Sequence, residues 1–201
     1  MPTGTGITGP IPDGQDPEEY DRRRRRVLWS MPTGLFVVGS RSGERANLMA
    51  ANLVMQVSTT PKLVAVAVET GAVTAGLIGE SGVFSISILA RADRAVVRRF
   101  VKPATEVEIG TDGAVTAIQG ELVVEVSGGV PVLAAAAGWL ACGVRQTVGL
   151  ETGPAPEASH VLFIGEVVDV GERIDGGAAP DAEAGRAEVL RMEDTRMNYG
   201  G

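Results

Sequence analysis

The spacing of apolar and polar positions changes character near residue 34. Before it, Asp16-Pro17-Glu18-Glu19 reads as a helix start. Asp16 is the N-cap, Pro17 takes the first helical position, and Glu19 falls three residues on in a capping-box arrangement. That helix is expected to stop at about Ser30, ahead of Pro32. Beyond it the chain turns to short β-rich runs punctuated by glycine. Residues 34–40 predict a strand and 41–44 a hairpin turn. Residues 52–58 and 62–69 predict two more strands, separated by Thr59-Thr60-Pro61. Residues 70–80 read as a short helix capped by Thr70. Residues 83–89 alternate with period two, which places Ser85 and Ser87 on one face. A helix over 92–101 and a turn at 111–113 follow, then strands over 121–127, 138–150 and 160–170. The last is the most hydrophobic and is expected to be central. Residues 175–185, rich in Gly, Ala and Pro, predict a loop.

About seven strands with a few irregularly placed helices point to a mainly β fold with short helices, a closed or partly closed barrel, and not a chain of βαβ units. With 201 residues at 44% apolar, one core is expected. Residues 1–15 form a flexible arm and 16–201 a single domain. The uncharged stretch 126–144 is long enough to cross a membrane, but its glycines, Pro131 and small alanines read as buried core. No leader pattern opens the chain, so a cytoplasmic protein with no membrane partner is expected.

Charge and chemistry narrow the function. A net charge of −7 disfavours nucleic acid, which needs a basic face. Arg22 to Arg26 are five basic residues in a row, and consecutive positions wrap a helix without making one dedicated face. One histidine, His160, and one cysteine, Cys142, leave no zinc site, disulfide framework or Cys-x-x-Cys pair. An all-carboxylate site for a hard cation stays open, without EF-hand spacing. Cys142, among Trp139, Leu140, Ala141 and Val144, reads as a small buried hydrophobe. No P-loop, Gly-x-Ser-x-Gly elbow or dinucleotide glycine turn occurs. A chain this poor in acid–base side chains does difficult chemistry with a borrowed cofactor.

The order of its segments resembles the flavin reductase-like family, the FMN-binding split barrels of two-component monooxygenases. The likeness runs through residues 31–38 (MPTGLFVV), 47–53 (NLMAANL), Val57-Ser58-x-x-Pro61-x-Leu63-Val64, 80–89 (ESGVFSISIL), 131–133 (PVL), His160-x-x-Phe163-x-Gly165-Glu166-Val167 and the tail at 196–200. It implies a split β-barrel, a homodimer with flavin near the interface, and hydride transfer from NAD(P)H to FMN, with FAD possible in its place. The reduced flavin then leaves for a partner monooxygenase. It also implies that Ala50, Ala51 and Asn52 line the flavin ring with Leu53 beside it. Small residues there let main-chain donors approach a planar ring. The hydroxyls of Ser58, Thr70 and Thr74 are expected near the ribityl phosphate, and His160 near flavin and nicotinamide as the candidate catalytic side chain. The chain departs from the family at Met49 and Ala50, where threonine is common, at Ser87, where asparagine is common, and at Ala158-Ser159 in place of Gly-Asp. Those departures leave open an FMN enzyme of the same fold acting directly on an organic substrate, and the extra N-terminal arm with its arginine helix leaves open a non-catalytic flavin-binding protein.

Overall fold

The computed structural model describes residues 9–149, 159–172 and 189–195; the loop expected at 175–185 and the tail at 196–200 lie outside them. Helix α1 (Pro17–Trp29) starts as its sequence indicates. Asp16 is extended, and its carboxylate accepts the Glu19 N–H at 2.8 Å, satisfying one of the otherwise orphaned first-turn donors. Arg24 and Arg25 pair with Asp21, and Arg23 and Arg24 lie over the Tyr20 ring. The arginine run is thus partly engaged within its own helix, none of whose residues is buried. The chain divides into two compact units. Helix α1 belongs to one of them.

The other unit, Thr33–Thr195, holds the sheets. Its elements run β1 (Phe36–Ser42), β2 (Arg45–Ala51), β3 (Val54–Thr59), β4 (Lys62–Glu69), α2 (Val73–Ser81), β5 (Val83–Ile88), α3 (Arg94–Val97), β6 (Val107–Ile109), β7 (Val115–Ile118), β8 (Glu121–Val126), β9 (Val130–Leu133), β10 (Gly138–Gly149) and β11 (His160–Glu172). The mainly β class is borne out. The helix expected over 92–101 is broken: α3 is flanked by single 3-10 turns at Arg91–Asp93 and Arg98–Phe100.

Seven strands pair antiparallel in the order β2-β1-β5-β10-β11-β4-β3. The two edge strands, β2 and β3, are consecutive in the chain and joined only by Asn52 and Leu53. In a flat sheet those edges would stand about 29 Å apart, whereas the connection reaches at most about 11 Å. The sheet therefore curls round until its edges meet, a barrel left open along the β2/β3 seam. Its inner face carries Val38, Val64, Val66, Val68, Phe84, Ile86, Cys142 and Phe163, and α2 adds Ala75 and Ile78. β11 lies inside the sheet between β10 and β4, as expected of the most apolar strand.

The smaller sheet, β6-β7-β8-β9, is anchored on the outer face of β1 and β5. Ser85 Oγ donates to the Pro131 carbonyl at 2.5 Å, and the Leu133 N–H donates to Ser87 Oγ at 3.0 Å. Both serines are fully buried, so the polar face of β5 is a fastening between sheets and not a solvent face. The serine in place of the family's asparagine at 87 has a structural job here. Much of the 126–144 stretch is β9 and the start of β10, with Val130, Val132, Leu133, Ala141 and Cys142 buried. No helix among the described residues is long and apolar enough to cross a membrane.

Helix α2 begins two residues later than its sequence suggests. Ala72, not Thr70, is the N-cap, and no side chain caps it; the Thr70 N–H is drawn instead to the Ser159 carbonyl at 2.9 Å. The helix ends at Gly82, whose φ of +70° closes its N–H onto Ile78, a left-handed cap that favours glycine. Inside α2, Gly76 is exposed with open space where a methyl group would point. Gly76→Ala is expected to stabilise the protein by about 0.5–1 kcal/mol through backbone entropy alone, measurable as a higher urea midpoint with unchanged slope.

Cys142 is buried between β5 and β11, as its neighbours indicated. Desolvation pushes its thiol up to about 12, because a thiolate there would lose its hydration. Since the folded thiol holds its proton more tightly than the unfolded one, this group favours the fold fully below pH 9.0. That contribution is lost as pH rises toward 12, where the unfolded thiol ionises first. Native protein at neutral pH should resist iodoacetamide, and labelling should appear only with denaturant; mass spectrometry before and after urea tests this.

Candidate functional site

The seam places the segment at 50–53 at a corner of the barrel. Ala50 pairs with Val37 and Ala51 with Phe36, and both alanines are buried. Asn52 makes the bend. Leu53 is 44% exposed, and its carbonyl accepts the Ala67 N–H at 3.0 Å. The chain thus crosses from one edge strand to the other with its small side chains buried and Leu53 exposed at the bend.

A second cluster forms where β4 ends and β11 begins. His160 stands opposite Glu69 in the ladder. Ser159 Oγ lies 2.8 Å from His160 Nδ1, and the Ser159 carbonyl holds the Thr70 N–H. The start of α2, which no side chain caps, follows directly at Ala72 and presents the positive end of its dipole. Thr70, Ser159, His160 and this helix end are therefore one group.

Two of the expected hydroxyls are placed differently. Thr74 is fully buried, and its Oγ1 accepts from Asn47 Nδ2 at 2.8 Å; Asn47 in turn accepts the Ala104 N–H at 2.8 Å. That hydroxyl holds α2 to β2. Ser58 pairs with Leu63 near the start of β4, about 20 Å along the strand from Thr70 at 3.3 Å per residue. Ser58 and Thr70 thus stand at opposite ends of β4, and the structure does not gather Ser58, Thr70 and Thr74 at one point. Ser58 Oγ instead accepts the Thr60 N–H at 3.3 Å in the β3–β4 turn.

An apolar cavity of about 270 Å³ opens beside the corner, walled by Phe36, Val54, Leu63, Ile86, Leu140 and Val167, with Gln56 and Lys62 as its polar members. It adjoins the corner because Phe36 pairs with Ala51 and Val54 follows Leu53. None of the candidate site residues lines it, although Leu63, Val64 and Val167 of the family motifs do. The available signal was that Lys62 is one of only two lysines among 18 basic residues. Among the described residues no cluster of His, Cys, Asp or Glu could hold a metal ion.

The donor set suits a flavin. Backbone at the bend could approach a planar ring, and a helix start without a side-chain cap, beside Thr70, could receive an anionic group. The cluster carries one imidazole and no pair of carboxylates arranged as acid and base. Such a set binds and orients a group that brings its own redox chemistry. Comparison with known proteins decides the family: the model of the flavin reductase like domain matches residues 28–185. The chain belongs to the flavin reductase-like family.

Relatives of this flavin reductase bear out the assignment. An NADH-dependent FAD reductase of Streptomyces globisporus is 30% identical over 192 residues, covering 90% of this chain and 98% of that protein. The structure of the Streptomyces globisporus NADH:FAD oxidoreductase SgcE6 matches with a TM-score of 0.62 at 26% identity, covering 81% of this chain and 89% of that one. The styrene monooxygenase flavin reductase of Pseudomonas putida shares the fold, with a TM-score of 0.59 at 23% identity over 74% of this chain and 85% of that one. The reductase is accordingly an oxidoreductase with a flavin as its redox partner.

Proposed function

We propose that this reductase takes hydride from NADH, with NADPH as the weaker donor, and delivers it to a diffusible flavin. The reduced flavin then leaves for a separate flavin-dependent monooxygenase or halogenase in the cytoplasm. The observation that carries this reading is the barrel corner, where buried Ala50 and Ala51 lead to Leu53, whose carbonyl is bonded to β4, the strand that runs on to the Thr70–His160 group. The bound flavin supplies the hydride-accepting ring. Asn52 and Leu53 orient it through their backbone, the start of α2 and Thr70 hold its phosphate, and His160 offers an imidazole beside it. The resemblance alone implies FMN; the FAD reductase of Streptomyces globisporus, matched over nearly its whole length, moves the choice to FAD, with FMN accepted. A homodimer is part of the reading, because Met55 and Val57 of β3, with Leu53 just before it, are exposed along an unpaired edge, which a second copy would cover.

The test is anaerobic. Protein with FAD or FMN is mixed with NADH or NADPH, and absorbance at 450 nm is followed over many equivalents of flavin. Bleaching over many turnovers, faster with NADH and FAD, is the expected result. A flavin that stays bound and yellow would sink the reductase reading. The apolar cavity beside the corner favours the second reading, direct action on an organic substrate, and bleaching that stops at one equivalent of tightly held flavin would select it.

A further inference from the structure

His160 is the one histidine in the chain, and the structure gives its ring a specific neighbour. Ser159 Oγ lies 2.8 Å from Nδ1. The same serine's carbonyl accepts the Thr70 N–H at 2.9 Å, so the residue that meets the ring is itself fastened to the end of β4. Across the ladder stands Glu69, exposed, and among the described residues no hydrogen bond joins its carboxylate to the ring. Where the family's motif has an aspartate before the histidine, this chain has a hydroxyl, which brings a hydrogen bond without a negative charge. A hydroxyl has one hydrogen to donate, and it can reach Nδ1 only when the ring proton resides on Nε2. Among the described residues Nδ1 is the one side-chain partner that Ser159 Oγ meets.

We propose that Ser159 is a positioning residue that donates to Nδ1 and so holds His160 as its Nε2–H tautomer, leaving Nε2–H as the ring's donor for a carbonyl or phosphate oxygen of the bound nicotinamide or flavin. The proposal rests on the reductase reading for its functional meaning, but not for its structural content. Anchoring one imidazole nitrogen to define the role of the other is a general device.

A single histidine makes the test direct. Full-length protein labelled with 15N-histidine, free of flavin and held at a pH where the ring is neutral, gives one pair of imidazole resonances. The expected spectrum shows Nδ1 unprotonated. Ser159→Ala should move both resonances toward the mixed tautomers of free imidazole, Ser159→Thr should restore them, and Glu69→Gln should leave them in place. A protonated Nδ1, coincident spectra for wild type and Ser159→Ala, or a shift caused by Glu69→Gln would each overturn the proposal. With flavin and NADH present, Ser159→Ala should lower kcat/KM for the nicotinamide donor about tenfold while the flavin KM stays within about twofold. That loss should vanish in a His160→Ala background, since the serine acts through the ring; an equal loss in both backgrounds would mean that Ser159 does something else. Should wild type show no turnover, the reductase reading fails, and the 15N spectrum still decides what Ser159 does.

Discussion

Gly39→Ala is expected to cost about 3 kcal/mol or more of folding stability. The reason is space and not backbone conformation. Gly39 sits mid-strand in β1, directly beneath β9, and a Cβ there would collide with the Pro131 carbonyl while coming within 2.5 Å of Ser85 Oγ and 2.9 Å of a Leu48 methyl group. The first obstacle is main chain, which cannot rotate aside. The second is the hydroxyl whose bond to Pro131 fastens the two sheets. Relief requires the small sheet to lift, which adds an overpacking cost of about 1–3 kcal/mol to the cost of leaving a buried hydroxyl and carbonyl unpaired, about 1–3 kcal/mol more. Urea unfolding monitored by far-ultraviolet circular dichroism measures it. Gly43→Ala is the control: it sits in the β1–β2 turn with φ of +61° and open space around it, so only about 1 kcal/mol of backbone strain is expected. A Gly39→Ala protein as stable as that control would mean that β9 does not press on β1 as described.

Inserting two glycines between Asn52 and Leu53 is expected to abolish flavin reduction, by about 100-fold or more in kcat/KM, while changing stability by about 1 kcal/mol. Loop closure grows only logarithmically with length, so a longer corner is thermodynamically tolerable. The geometry is not. In the native corner the Leu53 carbonyl is locked to the Ala67 N–H, and Ala51 to Phe36, so the bend has no slack in which its donors could wander. With slack, backbone groups that orient a planar ring are no longer pre-set, and a misplacement of about 1 Å can cost 100-fold in rate. Stopped-flow bleaching and thermal melting on the same preparation separate the two effects. Retained turnover in a stably folded insertion variant would show that the ring is bound elsewhere.

Strands with a wet and a dry side, or long apolar runs, were legible from the sequence. β4, β5, β10 and β11 lie within about two residues of their expected spans, β1 and β3 within the same margin, and the Asp16 cap of α1 has the anticipated hydrogen bond. β2 was not legible. Its sequence, Arg45 to Ala51, is buried on both faces, so no alternation marks it. Its buried Asn47 is explained only by partners 27 and 57 residues away. β6, β7 and β9 are three or four residues long, too short to show a period. The late start of α2 has the same kind of cause, since the Thr70 N–H finds its acceptor at Ser159, far along the chain. The site divides likewise. The order of motifs pointed to the corner and His160 as candidates, whereas the inward turn of Thr74 and the separation of Ser58 from Thr70 depend on register that no local pattern carries.

The sheet order also governs when the enzyme can exist during its own synthesis. β1 with β2, and β3 with β4, are hairpins that can form as they leave the ribosome, but β4 gains its second neighbour only from β11. The ladder from Glu166 to His160 against Leu63 to Glu69 joins segments nearly a hundred residues apart, a pairing of the kind that slows folding. Until it zips, the nascent chain carries the corner and α2 without Ser159 or His160 beside them. A reductase stalled on the ribosome before residue 160 is thus a partial barrel with an unsealed apolar interior, a client for chaperones, and its redox function appears only when the last long strand arrives.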